Sequence, residues 1–179
     1  MSIEEDIVTR AIKGDGEAFA QLYEERFDKI YRYVYLKVGN EAEAEDLTQE
    51  VFVKALEAIA SYKWRNSPFN SWLFRIAHNR VIDYFRKEGK VEKIALEDDI
   101  ALPSESNPAL AAEREIEIQE VIKNIEKLSP AQREVISLRF GSELSTAEVA
   151  KVLRKNTGTV KALQYNAIVA LRKMLPSGR

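Results

Sequence analysis

The sequence predicts an all-α chain: two small helical domains joined by a flexible acidic linker. Three features carry that expectation. Apolar residues recur at three-to-four spacing on both sides of a central stretch, helix start and stop signals punctuate them, and no β alternation or internal repeat appears. The central stretch, EDDIALPSESNPAL, combines acids, serines and two prolines, which is linker composition. The expected boundaries are residues 1–90 for the first domain, 91–112 for the linker and 113–179 for the second domain.

The elements follow in order. Phe19, Tyr23, Phe27, Ile30 and Val34 share one helical face, and Gly39 then Asn40 give a stop and a start, with Glu43 completing a capping box. Leu47, Val51, Ala55 and Ile59 form the apolar face of the next helix, leaving Asp46, Gln49, Glu50, Val53 and Glu57 on its other side. Ser67-Pro68 has the form of a cap followed by a first-turn proline, and the helix it opens runs through Arg86 to a stop at Gly89. Beyond the linker, Ile118, Val121, Ile125 and Leu128 resume a helical face, and Ser129-Pro130 with Gln132 starts another helix. Two more are expected, from Ser145 to Leu153 and from about Thr157 to Leu175.

Composition excludes several chemistries. The chain of 179 residues has no cysteine and one histidine, so neither a disulfide scaffold nor a thiolate or multi-histidine metal site is expected, and no cofactor is implied. No apolar run approaches the length of a membrane span and the N-terminus is acidic, so no membrane insertion is expected and the cytoplasm is the expected location. A net charge of -2 hides alternating blocks: net -7 over residues 1–60, +5 over 61–90, -6 over 91–130 and +6 over 131–179. Two separated basic blocks suit a protein that touches a polyanion at two places without coating it.

Each basic block carries a pattern. STAEVAKVLRKNTGTVKALQY reads as a helix-turn-helix in which the small Ala150 permits a close helix crossing and Asn156 caps the second helix, whose free N–H groups suit phosphate. Val160, Leu163, Ala167, Leu171 and Met174 form its expected buried stripe; Lys161, Gln164, Tyr165, Ile168 and Arg172 face mostly outward. An ordinary helical hairpin is the alternative, and DNA binding is favoured by the neighbouring Arg154 and Lys155. In FNSWLFRIAHNRVIDYFRK, Trp72, Arg75, Asn79, Ile82 and Arg86 share a face opposite Phe69, Leu73, Ile76, Ala77, Val81 and Tyr84. Indole and guanidinium groups together hold unpaired bases and their phosphates, although Trp72 completing the core is the commoner arrangement. Arg80 falls in the apolar arc and is expected to be an ion-paired structural residue.

The succession of GDGEAFAQLYEERFDKIYRYV, AEDLTQEVFVKAL and FNSWLFRIAHNRVIDYFRK resembles region 2 of the sigma-70 family, and LSPAQREVISLRF with the helix-turn-helix resembles region 4. With nothing else between or before the two regions, the resemblance is to the extracytoplasmic-function (ECF) group of RNA polymerase sigma factors, which are not enzymes. It implies a region 2 bundle and a region 4 helix-turn-helix, with core RNA polymerase (its clamp helices and flap), promoter DNA and an anti-sigma factor as partners. It implies polymerase contacts at Asp46, Gln49, Glu50 and Val53. It implies capture of the melted -10 strand by Trp64, Arg65, Asn66, Trp72, Arg75, Asn79 and Arg86, and -35 duplex reading by Thr157, Thr159, Lys161, Gln164 and Tyr165.

The sequence departs from the family pattern in three respects. Arg154 stands where the turn usually has glycine, which places a side chain at a positive φ at a cost of order 1 kcal/mol. Asn166 and Ile168 stand where many relatives have arginines, implying a weaker -35 contact, and His78 replaces a frequent arginine. The rival readings are a stand-alone helix-turn-helix transcriptional regulator, a protein-interaction module and a hydrolase built on His78 and Asp83. Five residues apart on a helix, the last two side chains diverge by about 140° and cannot pair.

Overall fold

Short polar signals start and stop the helices, and the computed structural model describes their outcome for residues 2–65, 67–89 and 119–174. Helix α1 (Ile3–Ile12) opens on a reciprocal capping box between Ser2 and Glu5. Gly14, at φ 97°, makes the turn into Asp15, which caps α2 (Gly16–Val38) by accepting from the Glu17 and Ala18 amides. Gly39 ends α2 at φ 73°, its N–H donating to the Tyr35 carbonyl at 2.8 Å. Asn40 then caps α3 (Glu41–Ala58) through the Glu43 amide. The expected box closes only on that side, because the Glu43 carboxylate instead accepts from the Tyr84 hydroxyl on another helix.

A 3₁₀ turn (Ile59–Ser61) leads through residues 62–68 to α4 (Phe69–Lys87). Ser67-Pro68 differs from the expected form: Pro68 itself occupies the cap position and no side chain caps the helix. The turn is tied instead by the Tyr62 hydroxyl, which donates to the Ser67 carbonyl at 2.6 Å. Helices α1 to α4 share one core, in which Leu22, Ile30, Tyr33, Val34, Val51, Leu73, Phe74 and Val81 are all but fully buried. The Phe19, Tyr23 and Phe27 end of the α2 stripe is only half-buried; at its edge Tyr23 meets the Phe52 ring edge-on and Phe27 stacks with it.

The second group comprises α5 (described over residues 119–126), α6 (Pro130–Ile136), a π-helical turn (Ser137–Gly141), α7 (Thr146–Leu153) and α8 (Thr157–Met174). The Ser129–Gln132 capping box forms as expected, and a second, Ser145–Glu148, opens α7. One expected face is shifted: Ile122, Ile125 and Leu128 are buried, whereas Val121 is 49% exposed. Tertiary packing selects the stripe one residue on. Ile118 and the linker 91–112 lie outside the described residues, as does Leu175. The π-helical turn was not foreshadowed in the sequence; within it, an added Cβ at Gly141 would lie 2.6 Å from Leu36 Cδ1 on α2.

Half-buried Glu126 gives the second group a pH dependence. Burial lifts its carboxyl from 4.5 to about 7, with Arg133 and Lys123 only partly opposing. The folded chain thus keeps a proton that the unfolded chain releases, so stability falls as pH rises from about 4.5 to about 7. Glu126→Gln should flatten that slope and raise stability at pH 7.5 by roughly 1 kcal/mol, allowing for solvent screening. Urea melts at pH 5 and 7.5 check this; parallel behaviour of variant and parent would refute it.

Candidate nucleic-acid interface

The helix-turn-helix forms as its sequence dictates. Arg154 takes the left-handed conformation at φ 56° and ψ 45°, so this turn is made without glycine. Its N–H closes α7 on the Ala150 carbonyl, and Ala150 is buried. Asn156 caps α8, its Oδ1 accepting from the Thr159 amide at 2.7 Å. Val160 and Ala167 anchor the helix in the core; Leu163, Leu171 and Met174 are half-buried.

Of the residues implicated in duplex reading, Thr157, Thr159 and Lys161 are exposed on the first turns of α8, and Tyr165 is 61% exposed one turn on. The positive end of the helix dipole and a lysine therefore meet solvent together. Gln164 is placed differently: half-buried, its Oε1 accepts from Arg139 Nε at 3.2 Å. Ile168 corrects the outward expectation, since it packs on the cluster of Ile125, Leu128, Ile136 and Ala167. Asn166 is exposed.

On the first group, Tyr62 sits at the centre of an aromatic cluster. Its ring centroid lies 5.5 Å from Trp64, 5.7 Å from Phe69 and 5.1 Å from Trp72, and Arg26 stands over Phe69 at 5.6 Å. Both tryptophans are half-buried, so Trp72 packs in part against the core and leaves the rest of its indole to solvent. Burial, and then the charge of Glu4, pushes the Tyr62 hydroxyl up to about 12, which keeps it protonated as the donor that ties the turn. Arg65, Asn79 and Arg86 are exposed, Arg86 pairing with Asp83 at 3.3 Å; Asn66 lies outside the described residues.

Arg75 does not project freely. Its Nη1 donates to the Val152 carbonyl, in the last turn of α7, at 2.5 Å. Burial, and then the nearby Arg154 charge, lower its pKa, yet the guanidinium remains a cation.

Asp46, Gln49, Glu50 and Val53 all emerge from one exposed side of α3, with Val53 and Leu56 each 56% exposed. Arg80 is ion-paired as expected, and its partner is Glu50, with Nε to Oε1 at 2.6 Å.

The sequence reading missed a buried polar node. Glu134 on α6 accepts from the Tyr33 hydroxyl at 2.9 Å and from Lys37 Nζ, both on α2, and lies 3.3 Å from His78 Nδ1 on α4. Burial alone would raise this carboxyl, but the Lys37 charge and the His78 and Lys37 hydrogen bonds outweigh it and hold it at about 2. Burial, and then the Glu134 charge and hydrogen bond, lift the Tyr33 hydroxyl, whereas burial lowers Lys37 against the attraction of Glu134. An acid between Arg133 and Val135 in a short apolar helix, and a lysine in the aromatic run IYRYVYLKV, were the available signals.

Among the described residues no helix is long and apolar enough to cross a membrane, and no group of side chains is arranged to hold a metal. Comparison with known proteins gives two family matches, Sigma-70 region 2 over residues 22–91 and Sigma-70 region 4 over residues 125–173. The chain is 37% identical to the ECF RNA polymerase sigma factor BldN of Streptomyces coelicolor, over 96% of this chain and 65% of that protein. It is 36% identical to the ECF RNA polymerase sigma factor SigW of Bacillus subtilis, over 91% of both. A solved structure of the sigma factor RpoE with the anti-sigma factor NepR from Bartonella quintana superposes with a TM-score of 0.69 at 26% identity. That likeness covers 90% of this chain and 98% of that one. Both regions in their order, each matched by its own family and together by relatives of similar build, place this chain in the sigma-70 family as an ECF sigma factor.

Proposed function

We propose that the chain works in the cytoplasm as the promoter-specificity subunit of RNA polymerase, with its labour divided among three surfaces. The exposed face of α3, with Asp46, Gln49, Glu50 and Val53, docks on the clamp helices of core polymerase, where acids beside a small apolar patch suit a basic partner. Trp64, Arg65 and Asn66, with Trp72, Arg75, Asn79 and Arg86 of α4, take the melted -10 strand. Region 4 engages the flap and reads the -35 duplex. The solved complex of the RpoE relative with NepR supports an anti-sigma factor as the regulator.

The observation that carries this reading is the opening of α8. Thr157, Thr159, Lys161 and Tyr165 stand exposed there, while Val160 and Ala167 of the same helix are buried and fix which side faces out. Lys161 lies close enough to the helix start to meet a phosphate. Lys161→Ala should therefore weaken holoenzyme binding to all -35 sequences alike and reduce the salt slope by about 0.9. Asn79→Ala should leave that slope unchanged and slow open-complex formation roughly five- to tenfold, the loss of about one hydrogen bond to the strand. Stopped-flow opening and equilibrium binding at two salt concentrations separate the two; a Lys161 variant that altered base preference would sink the assignment.

A further inference from the structure

Two of the side chains assigned to the melted strand, Trp64 and Arg65, lie outside any helix, between the 3₁₀ turn and α4, and a third, Trp72, lies on the first turn of α4. Neither place is fixed by its own backbone. Trp64 and Arg65 have no helical ladder to hold them, and the opening of α4 has no side-chain cap. A surface that tells one base from another has to hold its groups to within about 0.5 Å, so the rigidity must come from neighbouring side chains.

Tyr62 supplies it at the first place. Buried at 5% exposure, it donates its hydroxyl to the Ser67 carbonyl at 2.6 Å, closing the chain from one side of Trp64 and Arg65 to the other, and its ring packs on both Trp64 and Trp72. Arg26 of α2 supplies it at the second. Its Nε donates to Asn70 Oδ1 at 2.7 Å, its guanidinium lies over the Phe69 ring, and its other two nitrogens bond Glu4 of α1 and, at 3.1 Å, Glu25. A planar guanidinium bonded at all three nitrogens is fixed in orientation, and with 11% of its side chain exposed Arg26 is not left over for a phosphate. Phe69 joins the two residues, 5.7 Å from the Tyr62 ring and 5.6 Å from Trp72.

We propose that Tyr62 and Arg26 are positioning residues for base recognition: Tyr62 sets the chain that carries Trp64 and Arg65, Arg26, anchored by Glu4 of the N-terminal helix, sets the opening of α4 beneath Trp72, and Phe69 couples the two. The proposal rests on the reading of Trp64, Arg65 and Trp72 as strand contacts. Neither positioning residue touches the strand. Their loss loosens the readers without removing one, so it costs discrimination before it costs melting: a loosened indole still stacks on any base, since every base has a π-face, but polar groups no longer stay in register with one of them. A merely structural role has a different signature. A less stable region 2 lowers the fraction of competent holoenzyme and slows opening on all promoters by one factor.

The test is open-complex formation by holoenzyme on a promoter library in which every base of the non-template -10 strand is varied. Tyr62→Phe keeps the ring and deletes only the donor. It should reduce the preference for the favoured base about fivefold at one or more positions, while opening on the least favoured bases changes less than about twofold. Arg26→Gln should do the same; where that variant lost its helical circular dichroism, Glu4→Gln, which removes the anchor from the exposed side, takes its place with the same expectation. Because both residues act on one cluster, the double variant should lose about as much preference as the worse single variant and not the product of the two. Trp64→Ala tests the underlying reading and should slow opening or shift base preference about tenfold, the loss of one stacking contact. If Trp64→Ala acts but Tyr62→Phe and Arg26→Gln leave every base ratio at its parental value, or slow all promoters by one factor, the positioning role is refuted and the strand contacts stand. If Trp64→Ala also leaves opening and preference unchanged, the strand contacts fall and the proposal with them. A loss confined to one of the two positioning variants, or losses that multiply in the double variant, would refute the coupling through Phe69 and the proposal as stated.

Discussion

Glu134→Ala should be the most damaging single change at the buried node, costing about 3 to 5 kcal/mol in the closed chain. It removes the carboxylate that Tyr33 and Lys37 reach from α2 and that His78 faces from α4, with Lys37 wholly inside the protein. The loss should appear as release of region 4 from region 2, an early step in a denaturant melt that the parent lacks. A double substitution, Lys37→Met with Glu134→Leu, should cost no more than about half as much, because a buried pair replaced by apolar groups leaves neither charge behind. Acid should reproduce the single variant. With its carboxyl held at about 2 in the folded chain against an ordinary 4.5, Glu134 contributes stability that is complete above about 4.5 and is lost as pH falls toward 2. Near-identical melts of parent and Glu134→Ala, or a parent whose closure is indifferent to acid over that window, would contradict the assignment.

Asp46→Arg should lower affinity for core RNA polymerase roughly 10- to 100-fold, with most of the change at low salt appearing in the association rate. Asp46 is exposed on α3 next to the unburied Val53 and Leu56 side chains, whereas Glu50 on the same face already neutralises Arg80. A reversed charge at Asp46 thus meets a basic clamp without disturbing an internal pair, and the helical circular dichroism should stay unchanged. Val53→Ala should add a second loss that is insensitive to salt, since it removes only apolar contact. Competition with unmutated protein for core polymerase measures both. Normal competition by Asp46→Arg would place the docking surface elsewhere.

Much of this protein was legible in its sequence because the determining interactions are local. Caps at Asn40, Ser129, Ser145 and Asn156, the Gly39 stop, the left-handed Arg154 and the buried faces of α2 and α3 each depend on residues within a turn or two. The exposed start of α8 and the exposed side of α3 follow from the same periodicity, as does the pairing of Arg80, an arginine that falls inside an apolar arc and must find a carboxylate.

Only the tertiary structure decided what those faces meet. Helical spacing places Arg75 on an outward face, but whether that face meets water, DNA or α7 depends on a contact 77 residues away in the chain. The node of Tyr33, Lys37, His78 and Glu134 joins residues up to 101 positions apart, so no local pattern encodes it. The shift of the α5 stripe from Val121 to Ile122, the diversion of Gln164 to Arg139, the inward turn of Ile168 and the capture of the Glu43 carboxylate by Tyr84 have the same origin. Periodicity fixes which residues of a helix share a side. The choice of neighbour for that side is made by burial and hydrogen-bond satisfaction across the whole chain, which operate only once distant segments are packed together.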